Sequence, residues 1–228
     1  MLFAAGDLDT SFGGGDGVAE ITPGRLYDTA IQSDGKIVGV GATGGQFPRS
    51  YVVARFNSNG TPDTSFGTGG RAVHDFPGEN DVFEYVEIAP GGDIIAAGTA
   101  LARYNSDGSL DRSFGGGDGH VEFMDSAGNT LRAGGLAVRP DGKILVAYSD
   151  PRTADPFHVV SRFNPDGSLD TSFGTGGTVT LPREAAPNDF AHASDLALAP
   201  GGKVVIAGTA VWRLKAGRAT TSATTWRT

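Results

Sequence analysis

The phrase Leu8-Asp9-Thr10-Ser11-Phe12-Gly13 returns as Pro62-Asp63-Thr64-Ser65-Phe66-Gly67, as Leu110-Asp111-Arg112-Ser113-Phe114-Gly115 and as Leu169-Asp170-Thr171-Ser172-Phe173-Gly174. A chain that repeats one phrase in this way is one supersecondary unit written several times, and each unit must bury its apolar face against its neighbours. The steps from Asp9 to Asp63, Asp111 and Asp170 are 54, 48 and 59 residues. That period suits four-stranded propeller blades and is too long for leucine-rich, ankyrin or tetratricopeptide units.

Two further signals recur inside each copy. Asp34-Gly35, Gly91-Gly92, Asp141-Gly142 and Gly201-Gly202 are residue pairs that accept the positive φ of tight hairpins. Each precedes a β-branched run such as Lys36-Ile37-Val38 or Lys203-Val204-Val205. A third strand follows, for example Tyr51 to Phe56 or His158 to Phe163, closed by Asn59-Gly60, Asp107-Gly108 or Asp166-Gly167. With the short strand after each Phe-Gly phrase, a copy holds four antiparallel strands. The expected fold is therefore all-β, a propeller of about four four-stranded blades, with a β-solenoid as the alternative. The chain opens in the last quarter of a repeat and leaves its fourth copy after the third strand. This complementarity leads to the expectation that Val18-Ala19-Glu20-Ile21 pairs with the strand around Val211 to Leu214 and closes the last blade, hiding both sheet edges.

Residues 1–214 are expected to form one propeller domain. Residues 215–228 carry neither strand alternation nor a turn signal and are expected to be an irregular, disordered tail. The 18 Lys and Arg against 26 Asp and Glu give a net charge of −8, and no basic cluster interleaves with aromatics, so no nucleic-acid partner is expected. The 36 glycines sit at fixed places in each copy, which marks turns and not disorder. Without cysteine there is no disulfide framework, thiolate nucleophile or zinc ribbon. No apolar run is long enough to be a transmembrane segment, and the first residues lack the basic and apolar regions of a signal peptide.

The phrases Asp-Gly-Lys-Ile-Val, Val-Ala-Arg-Phe-Asn-x-Asn/Asp-Gly and Leu-Asp-x-Ser-Phe-Gly-x-Gly-Gly resemble the bacterial delta-sixty repeat, a β-propeller family of uncharacterised function, over about residues 6–214. The resemblance implies a non-enzymatic repeat domain in exported or cell-envelope proteins, an extracellular or envelope location, and no catalytic residues to transfer. The last copy departs from the pattern, since Arg213-Leu214-Lys215-Ala216-Gly217 stands where Arg-Phe-Asn-x-Asp-Gly belongs.

Asn57-x-Asn59-Gly60-x-x-Asp63 and its counterparts are rich in oxygen, as calcium loops are. Yet Arg55, Arg103 and Arg162 occupy the place of a first ligand, so no metal and no cofactor is expected. These arginines, with Arg213, are expected to pair with the phrase aspartates Asp9, Asp63, Asp111 and Asp170, while Phe12, Phe66, Phe114 and Phe173 fill the space between blades. Functional residues of a propeller should break the repeat. Aligning the first strand of each blade on Ser33, Pro90, Pro140 and Pro200 gives one column of Asp28, Tyr85, Gly135 and Asp195. A second column, three residues upstream, reads Arg25, Val82, Arg132 and His192. Asp28, Glu84, Glu87, Arg132, His192 and Asp195 are thus the candidate binding residues at the mouth of the channel. The favoured reading is a non-catalytic module binding or displaying a protein or glycan surface. The alternatives are a hydrolase or lyase working at that mouth around Asp28, Asp195 and His192, and a structural fragment of a longer repeat array.

Overall fold

A computed structural model describes residues 8–22, 24–44, 49–76, 81–124, 130–149, 158–180, 191–200, 202–210 and 220–226. Four antiparallel sheets follow one another along the chain. The first consists of β1 (Arg25–Ile31), β2 (Ile37–Ala42), β3 (Tyr51–Phe56) and β4 (Arg71–His74). The second holds β5 (Phe83–Ile88), β6 (Ile94–Gly98), β7 (Ala100–Tyr104) and β8 (His120–Glu122), and the third β9 (Arg132–Val138), β10 (Ile144–Ser149), β11 (His158–Phe163) and β12 (Thr178–Thr180). The fourth has β13 (Ala191–Ala199), β14 (Lys203–Ala210) and β15 (Thr220–Trp226). The turns between the first two strands are made as their residues require, with Gly35, Gly92, Gly142 and Gly202 all at positive φ.

The sheets stack face to face as propeller blades. Val38, Val40, Tyr51 and Val53 of the first pack on Val86, Ile94, Ala96 and Tyr104 of the second. Ile95 and Leu101 meet Leu136, Ile144 and Val146, and Leu145 and Val160 meet Leu196, Val204 and Ile206. Side chains of this size contribute about 1.5–3 kcal/mol each when fully buried. The central strands β2 and β6 are therefore apolar on both faces, a pattern that alternation alone would not reveal. The inner strands pack in sequence, β1 on β5, β5 on β9 and β9 on β13; among the described residues no comparable packing returns from β13 to β1.

The repeated phrase is a latch between consecutive blades. Asp63 accepts from Ser65 N and Oγ through Oδ1, at 3.1 and 2.7 Å, and from Arg55 Nε through Oδ2 at 2.7 Å. Arg55 Nη1 then donates to Ser106 O in the next blade at 2.6 Å, and its guanidinium lies 4.7 Å from the Phe66 ring centroid. Gly67 N donates to Asp107 O at 2.7 Å. Arg103, Asp111, Ser113 and Phe114 repeat the arrangement, with Pro165 O as the acceptor across the junction and Gly115 N bonded to Asp166 O at 2.9 Å. Arg162 likewise donates to Asp170 Oδ2 at 2.7 Å and lies over Phe173. Lys36 and Lys143 add second cations on Asp63 and Asp170 at 2.9 and 2.6 Å.

Two expectations are corrected at the ends of the chain. Val18 to Ile21 form no strand. The segment is instead tied to the first blade: Gly13 N donates to Asn59 O at 2.9 Å, and Thr22 O accepts from Arg71 Nη1 at 2.5 Å. The intended partner, Val211 to Leu214, lies outside the described residues, as does Arg213. Within the stretch expected to be irregular, Thr220–Trp226 forms β15, paired to β14 from Ala210↔Thr220 to Val204↔Trp226. The β-branched threonines of this segment suit an extended chain, and the free edge of β14 supplies the ladder partners.

The latch makes two predictions. A Cβ at Gly108 would lie 2.9 Å from Gly67 N and 3.2 Å from the Phe66 ring, at φ +87°, whereas one at Gly92, at φ +92°, meets nothing. Gly92→Ala should thus cost only the left-handed conformation, about 1–2 kcal/mol, and Gly108→Ala distinctly more, as denaturant unfolding would read. The second concerns acid. Burial alone would raise Asp63, but hydrogen bonds from Ser65, Lys36 and Arg55 hold it well below its ordinary value of 3.8. A depressed folded pKa contributes stability that is complete above the unfolded value and is lost as pH falls towards the folded one. The melting temperature should therefore drop between about pH 5 and pH 2, and Asp63→Asn should start lower and lose less over that range.

Candidate functional site

Each innermost strand carries one extra residue relative to its partner. The pairing shifts between Leu26 and Asp28 in β1, between Phe83 and Tyr85 in β5, and between Ala193 and Asp195 in β13. In β9 the shift falls between Ala133 and Gly135. Tyr27, Glu84, Gly134 and Ser194 are thus bulged, and Asp28, Tyr85, Gly135 and Asp195 follow at equivalent positions, opposite Val40, Ala97, Ala147 and Ala207. A bulge bends its strand and re-aims the next side chain, which makes this column the natural place for groups that serve a site.

Four blades contribute unequally to it. Asp28 reaches the second blade, accepting from Val86 N through Oδ2 at 2.9 Å and from Thr29 N through Oδ1 at 2.8 Å. Asp195 Oδ1 accepts from Leu196 N at 2.8 Å. Tyr85 spans from the second blade to the fourth, donating its hydroxyl to Ser194 O at 3.2 Å. The third blade contributes a glycine pair: a Cβ on Gly134 would lie 2.1 Å from Ala193 O, and one on Gly135 would lie 2.6 Å from Leu196 N. Only glycine allows β13 to come this close to β9, and that approach brings Ser194 within reach of Tyr85.

The electrostatics follow from this crowding. Burial pushes the Glu87 carboxyl up, and the neighbouring charges of Asp28 and Asp195 push it in the same direction. Tyr85 is pushed up to about 12 by burial and by Glu84 and Asp195, against the opposing charge of Arg132. Arg132 of β9 binds both oxygens of Glu84 in β5 through Nε and Nη2, a bidentate pair that joins the second and third blades.

Of the residues chosen from the sequence, Asp28, Glu87 and Asp195 share one field, and Glu84 and Arg132 neutralise each other beside it. His192 belongs to β13, but its side chain lies outside the described residues. Tyr85 stood in the aligned column, yet its role as the cross-blade donor was missed, because the acceptor is a main-chain carbonyl with no sequence signature. Among the described residues no group of three or more His, Asp or Glu is arranged to hold a metal ion. The oxygen-rich loops are Asx turns: Asn59 Oδ1 accepts from Thr61 N and Oγ1 at 3.1 and 2.7 Å, and Asp107 and Asp166 do the same with Ser109 and Ser168.

With this geometry in place, comparison with known proteins bears on the fold. The family model described as "Domain of unknown function (DUF5122) beta-propeller" matches residues 32–66, 92–114 and 159–173, less than half of the chain. The first two stretches hold β2 with β3 and β6 with β7, the third holds most of β11, and each ends on the phenylalanine of a latch phrase. No curated protein matches significantly. Among solved structures, an exo-1,5-α-L-arabinanase from a bovine ruminal metagenomic library is similar at 9% identity and a TM-score of 0.44, covering 86% of this chain and 71% of its own. A gluconolactonase from Xanthomonas campestris is similar at 18% identity and a TM-score of 0.38, covering 87% and 70%.

The coupling of Glu87 to its neighbours is measurable. Removing the charge of Asp28 by Asp28→Asn should lower the Glu87 pKa, read from its side-chain carboxyl ¹³C shift across a pH titration; an unchanged Glu87 would show that Asp28 does not act on it. A carboxyl raised by folding costs stability above its folded pKa, so Glu87→Gln should raise the melting temperature at pH 7.

Proposed function

We propose that this chain is a non-catalytic binding module of the bacterial envelope or extracellular space, and that it presents the axial carboxylates to a basic protein surface. The observation that carries this reading is that Asp28, Glu87 and Asp195, from three blades, converge in one field, while the repeated polar residues are spent in the latches. Like charges held together at a cost in stability favour a cation that relieves them. The net charge of −8 adds long-range attraction for a basic partner.

A second reading has one observation in its favour. Glu87, raised by burial and placed beside two other carboxylates, is set as a proton donor would be in a hydrolase. Turnover of ester or glycoside substrates with an acid limb that disappears in Glu87→Gln would select it.

The binding reading is tested with a decalysine peptide, titrated calorimetrically against the wild type and the Asp28→Asn/Glu87→Gln/Asp195→Asn variant. The wild type should bind, and affinity should fall as salt rises from about 50 to about 300 mM because exposed charges are screened. The variant should lose most of that affinity. Equal binding by both proteins, or binding of neutral oligosaccharides in place of the peptide, would refute it.

A further inference from the structure

The ion pair at the mouth of the channel differs from the latches. Arg132 gives Nε and Nη2 to the two oxygens of Glu84, and among the described residues these are its hydrogen bonds. The latch arginines each serve a carboxylate, a serine hydroxyl and a phenylalanine face, and the side chains of Arg55, Arg103 and Arg162 are 6%, 14% and 15% exposed. The Arg132 side chain is 53% exposed and that of Glu84 23%, so the cation is the partner that faces water. Nor does the stacking of blades call for this pair. At the preceding junction the places of Glu84 and Arg132 are held by Tyr27 and the buried Val82, and β1 packs on β5 there all the same. An ion pair this exposed adds little to stability, because water screens it and two long side chains must be held still. It can therefore be exchanged at little cost to the fold.

Its surroundings are the acids already described. Tyr85, next to Glu84 in β5, stands in the combined field of Glu84, Asp195, Arg132 and Asp28. Glu87, two residues further along the same strand, shares the field of Asp28 and Asp195. Arg132 is thus a cation supplied by the chain itself at the edge of a cluster of carboxylates, and it is held there by a fork of two hydrogen bonds.

We propose that Arg132 is an internal stand-in for an arginine of the partner, and that a guanidinium of the partner takes over Glu84 when the two proteins meet. The inference rests on the axial binding reading and adds two things to it: the preferred cation is planar, and the free protein holds its own copy in place. Both oxygens of Glu84 are presented side by side to a planar fork, a geometry that an ammonium, as a point charge, cannot match. The exchange gives up two N–H···O bonds and makes two. Arg132, already more than half in solvent, returns to water as the partner arrives. Until then it keeps Glu84 from contributing its charge to the mouth.

Deca-arginine and decalysine are titrated calorimetrically at about 100 mM salt. The proteins are the wild type, Arg132→Gln, Arg139→Gln and Arg132→Gln/Glu84→Gln. With Glu84 freed, Arg132→Gln should bind deca-arginine about three- to tenfold more tightly and decalysine about twofold at most. Arg139→Gln changes the net charge equally at the far end of β9, about 20 Å along the strand, and should alter either affinity by less than about twofold. The double variant lacks the freed acid and should return to within about twofold of the wild type. The melting temperature of Arg132→Gln should stay within about 3 °C of the wild type. In the wild type saturated with deca-arginine, the Arg132 Nε–H NMR signal should move to the position it takes in Glu84→Ala. Binding of neither peptide by the wild type and by Arg132→Gln would refute the axial reading, and this inference with it. Equal gains in the two single variants, an Arg132 signal unmoved at saturation, or a larger fall in melting temperature would overturn the inference and leave the axial reading standing.

Discussion

The guanidinium of each repeated arginine is the interaction on which the stack of blades depends. It is nearly buried at Arg55, where it meets a carboxylate, a serine hydroxyl, a main-chain carbonyl of the next blade and the face of a phenylalanine. A charge removed from water is tolerated only when such partners are all in place. The planar fork of arginine can serve them at once, whereas an ammonium would satisfy one direction at a time. Apolar burial holds the sheets together but has no direction, so the latch sets how one blade sits on the next.

From that orientation the site follows. Because successive blades are set in the same relation, their innermost strands carry their bulges at equivalent positions, and whatever residue follows the bulge looks towards the same region. The fold thus supplies a fixed frame, and the blades depart from symmetry within it: Asp28, Tyr85, Gly135 and Asp195 stand in one column, and a His74–Tyr104 pair stands where Phe123 and Phe163 stand at the next junction. The glycine is as much a part of the axial site as the acids are, since its missing side chain lets the fourth blade approach.

Much of this was legible in the residues. The recurrence of Asp-x-Ser-Phe-Gly, the glycine turns, and the constant spacing from Arg55 to Asp63, Arg103 to Asp111 and Arg162 to Asp170 led directly to blades and to paired charges. Less visible were contacts whose second partner is the main chain, such as Ser106 O for Arg55 or Ser194 O for Tyr85. The strand at Thr220–Trp226 was hidden for another reason. It lacks the repeat's turn signal, and its pairing depends on an available edge of β14, a property of the assembled sheet.

The claim that the arginine latch orients neighbouring blades is tested most directly by native-state hydrogen exchange in Arg55→Lys. The amide of Gly67, bonded to Asp107 O across the junction, should lose protection. Amides within the ladder of β2 and β3 should keep theirs, because their partners lie inside one blade. Unchanged protection at Gly67, or a uniform loss throughout the first sheet, would contradict the account.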